Sequence, residues 1–248
     1  MRSQLDDTDL QLSPLDSDRF GIRIGRAGQV APGSVEALVR SAAELDLDMV
    51  IARCAAVDVM TAADLSEAGF RFLDADVHYS APVTEIGLSG TPGAQISVRK
   101  ATPADVDPVL EIATEAFRDH PNHYRADSRL DRAGVDAIYP DWARRCLSGE
   151  ATDVTLVAEV GTRVAGFSSF RVNSAGEVQL LLGAVSGWAA GRHAYVALTV
   201  AGAGWAAEQG RSSLLCVTQL GNLGAQRSWA LVGLRPVAGV FTFHLWRR

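Results

Sequence analysis

The sequence predicts an α/β protein, because short apolar strand patterns alternate along the chain with segments whose apolar residues have helical spacing. Residues 49–54 and 214–218 have the composition of buried strands, whereas apolar positions in 34–47 recur every three or four residues, as in a helix. The chain has 248 residues, 48% of them hydrophobic, so it can bury a substantial core without disulfides or metals. The predicted class is a soluble α/β protein.

The composition argues against several other classes. The 23 basic and 29 acidic side chains give a formal net charge of −6, which argues against a nucleic-acid partner. Cys54, Cys146 and Cys216 lie far apart, so neither a disulfide framework nor a metal site is expected. The polar start has no signal-peptide core, and no apolar segment reaches the roughly 20 residues of a membrane helix. We expect a cytoplasmic protein without a membrane partner.

A segment rich in Ser, Gly, Thr and Pro, at 82–93, divides the predicted elements into two domains, 1–88 and 89–248. The first domain is predicted to begin with a polar, partly disordered stretch up to residue 19 and an edge strand at 20–24. The predicted helices of the second domain are 102–117, 133–147, 191–210 and 222–231, and its strands are 95–99, 154–160, 164–172, 178–185, 214–218 and 237–246.

The two domains share a pattern. Shifting the chain by 164 residues aligns 48–79 with 212–243 without a gap, and Asp58 then falls on Asn222. Few residues are identical, so coincidence and a degenerate internal repeat both remain open. A true repeat would make the first domain a truncated copy without a glycine-rich strand-to-helix turn, which places the chemistry in the second domain.

The turn between strand 178–185 and the following helix has the composition of an anion-binding site. Its residues are small, and the helix begins near Gly191, where backbone N–H groups and the helix dipole favour a phosphate. Arg192 would add a charge-assisted contact. A simple surface turn is the alternative. A Walker loop is excluded and a dinucleotide-binding fold is poorly supported, because neither G-K-[ST] nor G-x-G-x-x-G occurs.

The order of elements, the turn at 190–195 and the later helix that begins Asn222-x-x-Ala225 resemble the GNAT family of N-acyltransferases over residues 95–248. The family's [Q/R]-x-x-G-x-[G/A] motif falls on 190–195, where Ala190, His193 and Tyr195 replace its usual residues. The resemblance implies the GNAT fold, a mixed central sheet flanked by helices, with a truncated GNAT-like first domain. It also implies an acetyl-CoA or other acyl-CoA donor, held by Val185, Gly191, Arg192, His193, Ala194, Tyr195, Asn222 and Trp229.

Within the family, the layout is similar to the dTDP-fucosamine acetyltransferase type, which acylates the 4-amino group of a nucleotide-linked sugar. Motifs at 16–21 and 65–70 carry this likeness in the first domain. In the second domain it rests on motifs that contain Tyr124, Tyr139 and Gln219, which are the substrate-binding candidates. The resemblance implies a small-molecule amine as acceptor. The oligomeric state is left open, a homodimer included.

Acyl transfer to an amine needs a proton acceptor, a polarised carbonyl and a departing thiolate. His120 and His123 are candidate bases because histidine titrates in the useful range; solvated loop histidines are the alternative. The family's usual acid, a tyrosine, is replaced by Trp229, whose indole N–H is not a practical acid. Three explanations remain open: unassisted or water-assisted departure of the thiolate, a substitute acid such as Tyr195, or loss of ordinary acetyl transfer.

The sequence thus predicts an acyl-CoA-dependent N-acyltransferase that transfers the acyl group directly to an amine. Two alternatives are retained. One is an acyltransferase of secondary metabolism with a different acceptor, and the other is a catalytically silent CoA-binding protein of the same fold.

Overall fold

A computed structural model describes residues 10–87 and 96–247 of the chain. In this part, the α-helices are α1 Pro14–Phe20, α2 Val35–Glu44, α3 Val59–Glu67, α4 Val106–Phe117, α5 His123–Ala126, α6 Arg132–Leu147, α7 Ala194–Glu208 and α8 Leu223–Leu231. The strands are β1 Gln11–Leu12, β2 Ile24–Gln29, β3 Met49–Ala55, β4 Arg71–Pro82, β5 Ile96–Lys100, β6 Val154–Val160, β7 Arg163–Val172, β8 Val178–Val185, β9 Ser213–Gln219 and β10 Arg235–Trp246.

The chain forms two compact units, and each is assembled from separate segments. The first unit contains residues up to 77, 121–135 and those from 238 onward; the second contains 78–120 and 136–237. The predicted domain boundary at 88/89 lies at the edge of residues 88–95, which are outside the described part of the chain, and stays a prediction.

The first unit contains a sheet with the strand order β1-β2-β3-β10. β2 and β3 are parallel and remain paired as far as Gln29 and Arg53. β10 runs antiparallel to β3, with Val240 opposite Ala55, so the last strand of the chain completes this unit. The buried core includes Leu38, Leu47, Leu65, Phe70 and Phe243.

The second unit contains the strand order β9-β8-β7-β6-β5, in which only β8 and β9 are parallel. The hairpin predicted from 154–160 and 164–172 is confirmed, with Val160 opposite Arg163. α4 packs with Phe167, Leu182 and Ala184 in one buried cluster. α7 packs on the same strands, against the residues that point to the other face, because side chains alternate along a strand.

The beginning of the described chain differs from the prediction. α1 occupies 14–20 where a partly disordered stretch was expected, and the strand expected at 20–24 begins only at Ile24. Pro14 stands in the first turn of α1, and Gly21 ends the helix with φ 66°. Proline at a helix start and a left-handed glycine after its end are ordinary helix signals. The prediction gave too much weight to the polar composition.

The internal repeat is confirmed. β3, α3 and β4 have the bounds of β9, α8 and β10 after the shift of 164 residues. Asp58 and Asn222 cap the two helices through their side chains, accepting from the N–H groups of Thr61 and Ala225. Gly69 and Gly233, which follow the helices, both have positive φ, 90° and 99°. The correspondence therefore extends to backbone conformation, which coincidence does not explain. The strand-to-helix turn of the first copy, 30–34, is shorter than its counterpart at 186–193.

Within the described ranges, no helix has both the length and the apolar character needed to span a membrane.

Candidate functional site

The parallel strands β8 and β9 of the second unit separate about halfway along their length. Their register pairs Val178, Gln179 and Leu180 of β8 with Leu214, Leu215 and Cys216 of β9 and ends there. β8 nevertheless continues to Val185, and on its other edge it stays paired with β7 as far as that residue. A shift in the β7–β8 register at Leu181 marks the same point. The last residues of β8 therefore present an open backbone edge.

Val185 has its N–H on this open edge. The N–H of the next residue, Ser186, donates to the carbonyl of Ala165 on the β7 side. Because successive N–H groups of an extended chain point in opposite directions, that of Val185 points away from β7. It is therefore a backbone donor available to a ligand.

The turn after β8 brings the start of α7 to the same place. Gly191 and His193 both adopt positive φ, 75° and 62°, which reverses the chain so that α7 can begin at Ala194. The first helical hydrogen bond at this end runs from the Ala197 N–H to the His193 carbonyl. The N–H groups of residues 194–196 consequently point out of the end of the helix, where an anion is stabilised.

A cavity of about 500 Å³ lies within the second unit at this point. It is bounded by the end of β8, the turn, the first turn of α7 and one side of α8, with the end of α4 completing the wall. The lining residues are Ala116, Phe117, His120, Gly183, Ala184, Val185, Ala189, Ala190, Gly191, His193, Ala194, Tyr195, Val196, Asn222, Gly224, Ala225, Arg227, Ser228 and Leu231. The site thus combines an open strand edge with two helix N-termini.

Most residues predicted to hold the acyl donor line this cavity, and the rest lie beside it. Arg192 and Trp229 are the two that do not line it. Arg192 is exposed on the turn, and its side chain is not part of the wall. Trp229, on the inner side of α8, is fully buried. The remaining members of the predicted set form the wall: Val185, Gly191, His193, Ala194, Tyr195 and Asn222.

Asn222 is held by its own hydrogen bonds. Its side-chain oxygen accepts from the Ala225 N–H at 3.3 Å, and its amide donates to the Thr218 hydroxyl at 2.9 Å. Both bonds fix the start of α8 relative to β9. The residue therefore shapes the cavity by placing the N-terminus of α8.

Tyr195 and Trp229 form an aromatic pair, with ring centroids 6.3 Å apart. Burial raises the pKa of the Tyr195 hydroxyl well above its usual range, and nearby Cys216 adds to the rise. The indole N–H of Trp229 is buried and has no hydrogen-bond partner among the described residues. Tyr195 is accordingly a neutral hydroxyl at physiological pH, a hydrogen-bond donor rather than a base.

His120 is bonded to Gln219 and packs on Tyr139, so the structure brings three predicted residues together. His120 Nε2 lies 2.7 Å from Gln219 Oε1. The imidazole also packs edge-on to Phe117 and Tyr139, with centroids 5.4 and 5.8 Å away, and these two rings stack on each other. A titratable imidazole is thus held at the cavity wall by an amide and an aromatic stack.

The other two predicted residues of this loop, His123 and Tyr124, belong to the first unit. His123 Nδ1 lies 2.9 Å from His244 Nε2, and His244 Nδ1 lies 2.9 Å from an Asp127 oxygen. Burial lowers the pKa of His123 well below its usual range. The hydroxyl of Tyr124 donates to Asp16 at 2.8 Å. Both side chains are members of a buried polar network and do not line the cavity of the second unit.

Sequence reasoning missed several cavity residues. Phe117 ends α4, and Arg227 and Ser228 lie on α8, on the side that faces the cavity. The motif that begins at Asn222 predicted that Arg227 and Ser228 lie on a helix, but it did not predict which face of that helix is turned to β8. Gly183 was also missed, although a glycine inside an apolar strand signals a close approach by another group.

Neither the cysteines nor the described side chains that could bind a metal form a second reactive centre. Cys54, Cys146 and Cys216 are free thiols and all three are buried. Burial raises the pKa of Cys146 to about 11, so this thiol is not a reactive nucleophile. Among residues 10–87 and 96–247, no three His, Cys, Asp or Glu side chains group as a metal site requires.

Comparison with known proteins identifies the fold. No protein-family model and no curated protein matches the chain. A GCN5-related N-acetyltransferase from Sphaerobacter thermophilus aligns with 97% of this chain and 76% of its own, with a TM-score of 0.64 and 16% identity. A tandem GNAT protein of the clavulanic acid biosynthesis pathway aligns with 91% of this chain and 76% of its own, with a TM-score of 0.63 and 15% identity.

A GCN5-related N-acetyltransferase from Kribbella flavida aligns with 90% of this chain and 80% of its own, with a TM-score of 0.61 and 12% identity. The chain therefore has the fold of the GCN5-related N-acetyltransferases, a mixed sheet flanked by helices, and the predicted fold class is confirmed. At these identities the likeness defines the fold and leaves the reaction to be argued from the site.

Proposed function

We propose that this protein is an acyl-CoA-dependent N-acyltransferase whose donor binds in the cavity of the second unit. The observation that carries the proposal is that β8 and β9 separate directly beside the N-terminus of α7. An open strand edge suits the amides of a pantetheine arm, and a helix N-terminus suits a pyrophosphate. The first unit lacks this combination in its described residues, because β2 and β3 stay paired to Gln29 and Arg53.

The residues at the mouth of the cavity fit the charges of the donor. The N–H groups of 194–196 would hold the pyrophosphate, while Gly191 leaves the approach open since nothing lies within 4 Å of the position its Cβ would take. Arg227 is the lining residue with a permanent positive charge. It would pair with a phosphate group of the donor.

The chemistry would be a direct transfer. The amine nitrogen attacks the thioester carbonyl, a C–N bond forms, the C–S bond breaks, and the sulfur leaves as a thiolate. The Val185 N–H would stabilise the negative charge on the carbonyl oxygen. His120, held by Gln219, would accept the proton that the amine loses. The neutral Tyr195 hydroxyl is a substitute donor for the sulfur in place of Trp229.

The lining residues also bear on the acceptor. None of the described residues that line the cavity is Asp or Glu. Such a wall offers no negative charge to hold a polycation, so an uncharged or acidic amine is favoured over a polyamine. A nucleotide-linked amino sugar meets this condition and is our first candidate. An acidic amine of secondary metabolism is the second.

Thermal unfolding with acetyl-CoA, longer acyl-CoAs and free CoA tests the donor site. A ligand at 100 times its Kd stabilises the native state by about 2.7 kcal/mol, so a clear rise in Tm is expected. Arg227→Glu should reduce the rise. Arg235→Glu, an equal charge change at an exposed residue of β10, is the matched control. No rise with any CoA compound would overturn the proposal.

Thiol release with a panel of amines then separates an enzyme from a silent binding protein. The panel contains nucleotide-linked amino sugars, free amino sugars, amino acids and polyamines. Release that depends on the amine supports acyl transfer, and the ranking identifies the acceptor class. CoA binding without release for any amine supports the catalytically silent alternative.

A further inference from the structure

Tyr195 lies directly over the open part of β8. A Cβ at Gly183 would come within 3.1 Å of Tyr195 Cε2 and within 2.7 Å of the Ser168 hydroxyl. The absence of a side chain at Gly183 is therefore what lets the ring rest on the strand. Since Gly183 lies three residues beyond the last β8–β9 pair, at Leu180, the ring occupies the region where the two strands separate.

Cys216, the last residue of β9 paired with β8, adds to the raised pKa of the Tyr195 hydroxyl. The position of the ring is given by its contact with Gly183 on β8.

The ring is supported from behind. Trp229 is fully buried, and its ring centroid lies 6.3 Å from that of Tyr195 and 5.6 Å from that of Tyr79. Three aromatic side chains thus form a continuous packed layer, Tyr79, Trp229 and Tyr195, of which only Tyr195 lines the cavity. A close-packed layer of this kind gives way little to a ligand.

We propose that the Tyr195 ring is the end wall of the acyl subsite and restricts the donor to acetyl-CoA or a comparably short acyl-CoA. The inference rests on the proposed function. A donor whose pyrophosphate lies at the start of α7, and whose pantetheine follows the open edge of β8, directs its acyl group into the gap between the strands. Each methylene beyond acetyl then meets the ring, and the size of an apolar pocket discriminates by about 10–200-fold for one methylene.

The test measures the affinities of acetyl-, butyryl- and hexanoyl-CoA and of free CoA by calorimetry, for the full chain and its Tyr195 variants. Wild type is expected to bind acetyl-CoA at least tenfold more tightly than hexanoyl-CoA. Tyr195→Ala should remove this preference, chiefly by improving hexanoyl-CoA. Tyr195→Phe is the matched control, because it keeps the ring and loses only the hydroxyl, so its preference should equal that of wild type.

Tyr195→Leu covers the case in which the alanine variant fails to fold, since it keeps an apolar side chain but is shorter than the ring. It should relax the preference partly. Equal affinities of wild type for acetyl- and hexanoyl-CoA would overturn the inference while leaving the proposed function intact. An unchanged preference in both the Ala and Leu variants would also overturn it. Binding of no CoA compound by wild type would overturn the proposed function itself.

Discussion

Nε2 of His120 and Oε1 of Gln219 lie 2.7 Å apart, although 99 positions separate them in the chain. An amide oxygen only accepts hydrogen bonds, so with the amide in this orientation Nε2 of the imidazole is the donor. The pair connects the segment after α4 with the end of β9, and His120 lines the cavity. We expect His120, oriented by this contact, to act as the base for the incoming amine.

His120→Ala is expected to lower kcat/KM for the amine at least tenfold and to leave the affinity for acetyl-CoA within twofold. The reason is that loss of a general base typically costs a factor of about 10²–10⁴, while the donor is held elsewhere in the cavity. Steady-state kinetics and calorimetry measure the two quantities. An equal loss in donor affinity would assign His120 to binding.

Gln219→Ala should shift the acidic limb of the pH–rate profile and lower kcat by a smaller factor than His120→Ala. The reason is that the amide orients the imidazole and does not exchange the proton. Gln209→Ala, at the exposed C-terminal end of α7, is the matched control and should leave the profile unchanged. A profile identical to wild type in the Gln219 variant would contradict a positioning role.

His193→Gly should stabilise the protein by up to about 1 kcal/mol, because a non-glycine residue at positive φ is strained by roughly that amount. The φ of His193 is 62°. Chemical denaturation measures the change. Gly191→Ala, at φ 75°, is the converse substitution and should destabilise by a similar amount. Stabilisation by both variants would show that φ does not govern this turn.

Gly202→Ala and Gly204→Ala should have opposite effects, although both lie on α7. A methyl group at Gly202 would overlap the ring of Phe170, whereas nothing lies within 4 Å of the corresponding position at Gly204. Overpacking costs about 1–3 kcal/mol, and alanine in an exposed helix gains about 0.5–1 kcal/mol over glycine. Urea unfolding midpoints report both. A loss of stability at Gly204 equal to that at Gly202 would contradict the packing of α7.

Asp74→Asn should stabilise the protein at pH 7.5 by about 1 kcal/mol and have less effect at pH 4.5. Burial, with a smaller contribution from the charge of Asp76, raises the pKa of Asp74 to about 6, against about 3.9 in an unfolded chain. Between these values the native state binds more protons, so its stability falls as pH rises and the full cost is present above pH 6. The magnitude is reduced from the full shift because Asp74 is partly exposed.

Asp76→Asn tests the same explanation from the other side. It removes the neighbouring charge and should lower the pKa of Asp74. Asp76→Asn should therefore also stabilise the protein at pH 7.5, but by less than Asp74→Asn does. Thermal unfolding at the two pH values measures both variants. A gain for Asp74→Asn that is the same at pH 4.5 and pH 7.5 would show that ionisation is not its cause.

Local patterns in the sequence predicted much of the fold. The repeat related by a shift of 164 residues could be recognised because each copy has an apolar strand, then a capping residue, Asp58 or Asn222, and then a glycine after the helix. Helix α1 also had local signals, Pro14 at its start and Gly21 after its end, but the prediction followed the polar composition of the segment instead.

Contacts between distant segments were not predictable in the same way. Whether β10 pairs with β3, or His123 bonds with His244 and His120 with Gln219, depends on which packed arrangement buries the most apolar surface and satisfies the most polar groups. No local pattern encodes that comparison, and the two loop histidines looked alike before the fold separated them.

Spacing and backbone preferences within a few residues therefore predicted most of the elements, the pattern shared by 48–79 and 212–243, and the turn that begins α7. The separation of β8 and β9 after Leu180 and Cys216, and the packing of the Tyr195 ring on Gly183, became visible only in the folded chain. The physical reason is that strand separation and side-chain packing are settled by the sum of long-range contacts, to which no short segment is bound in advance.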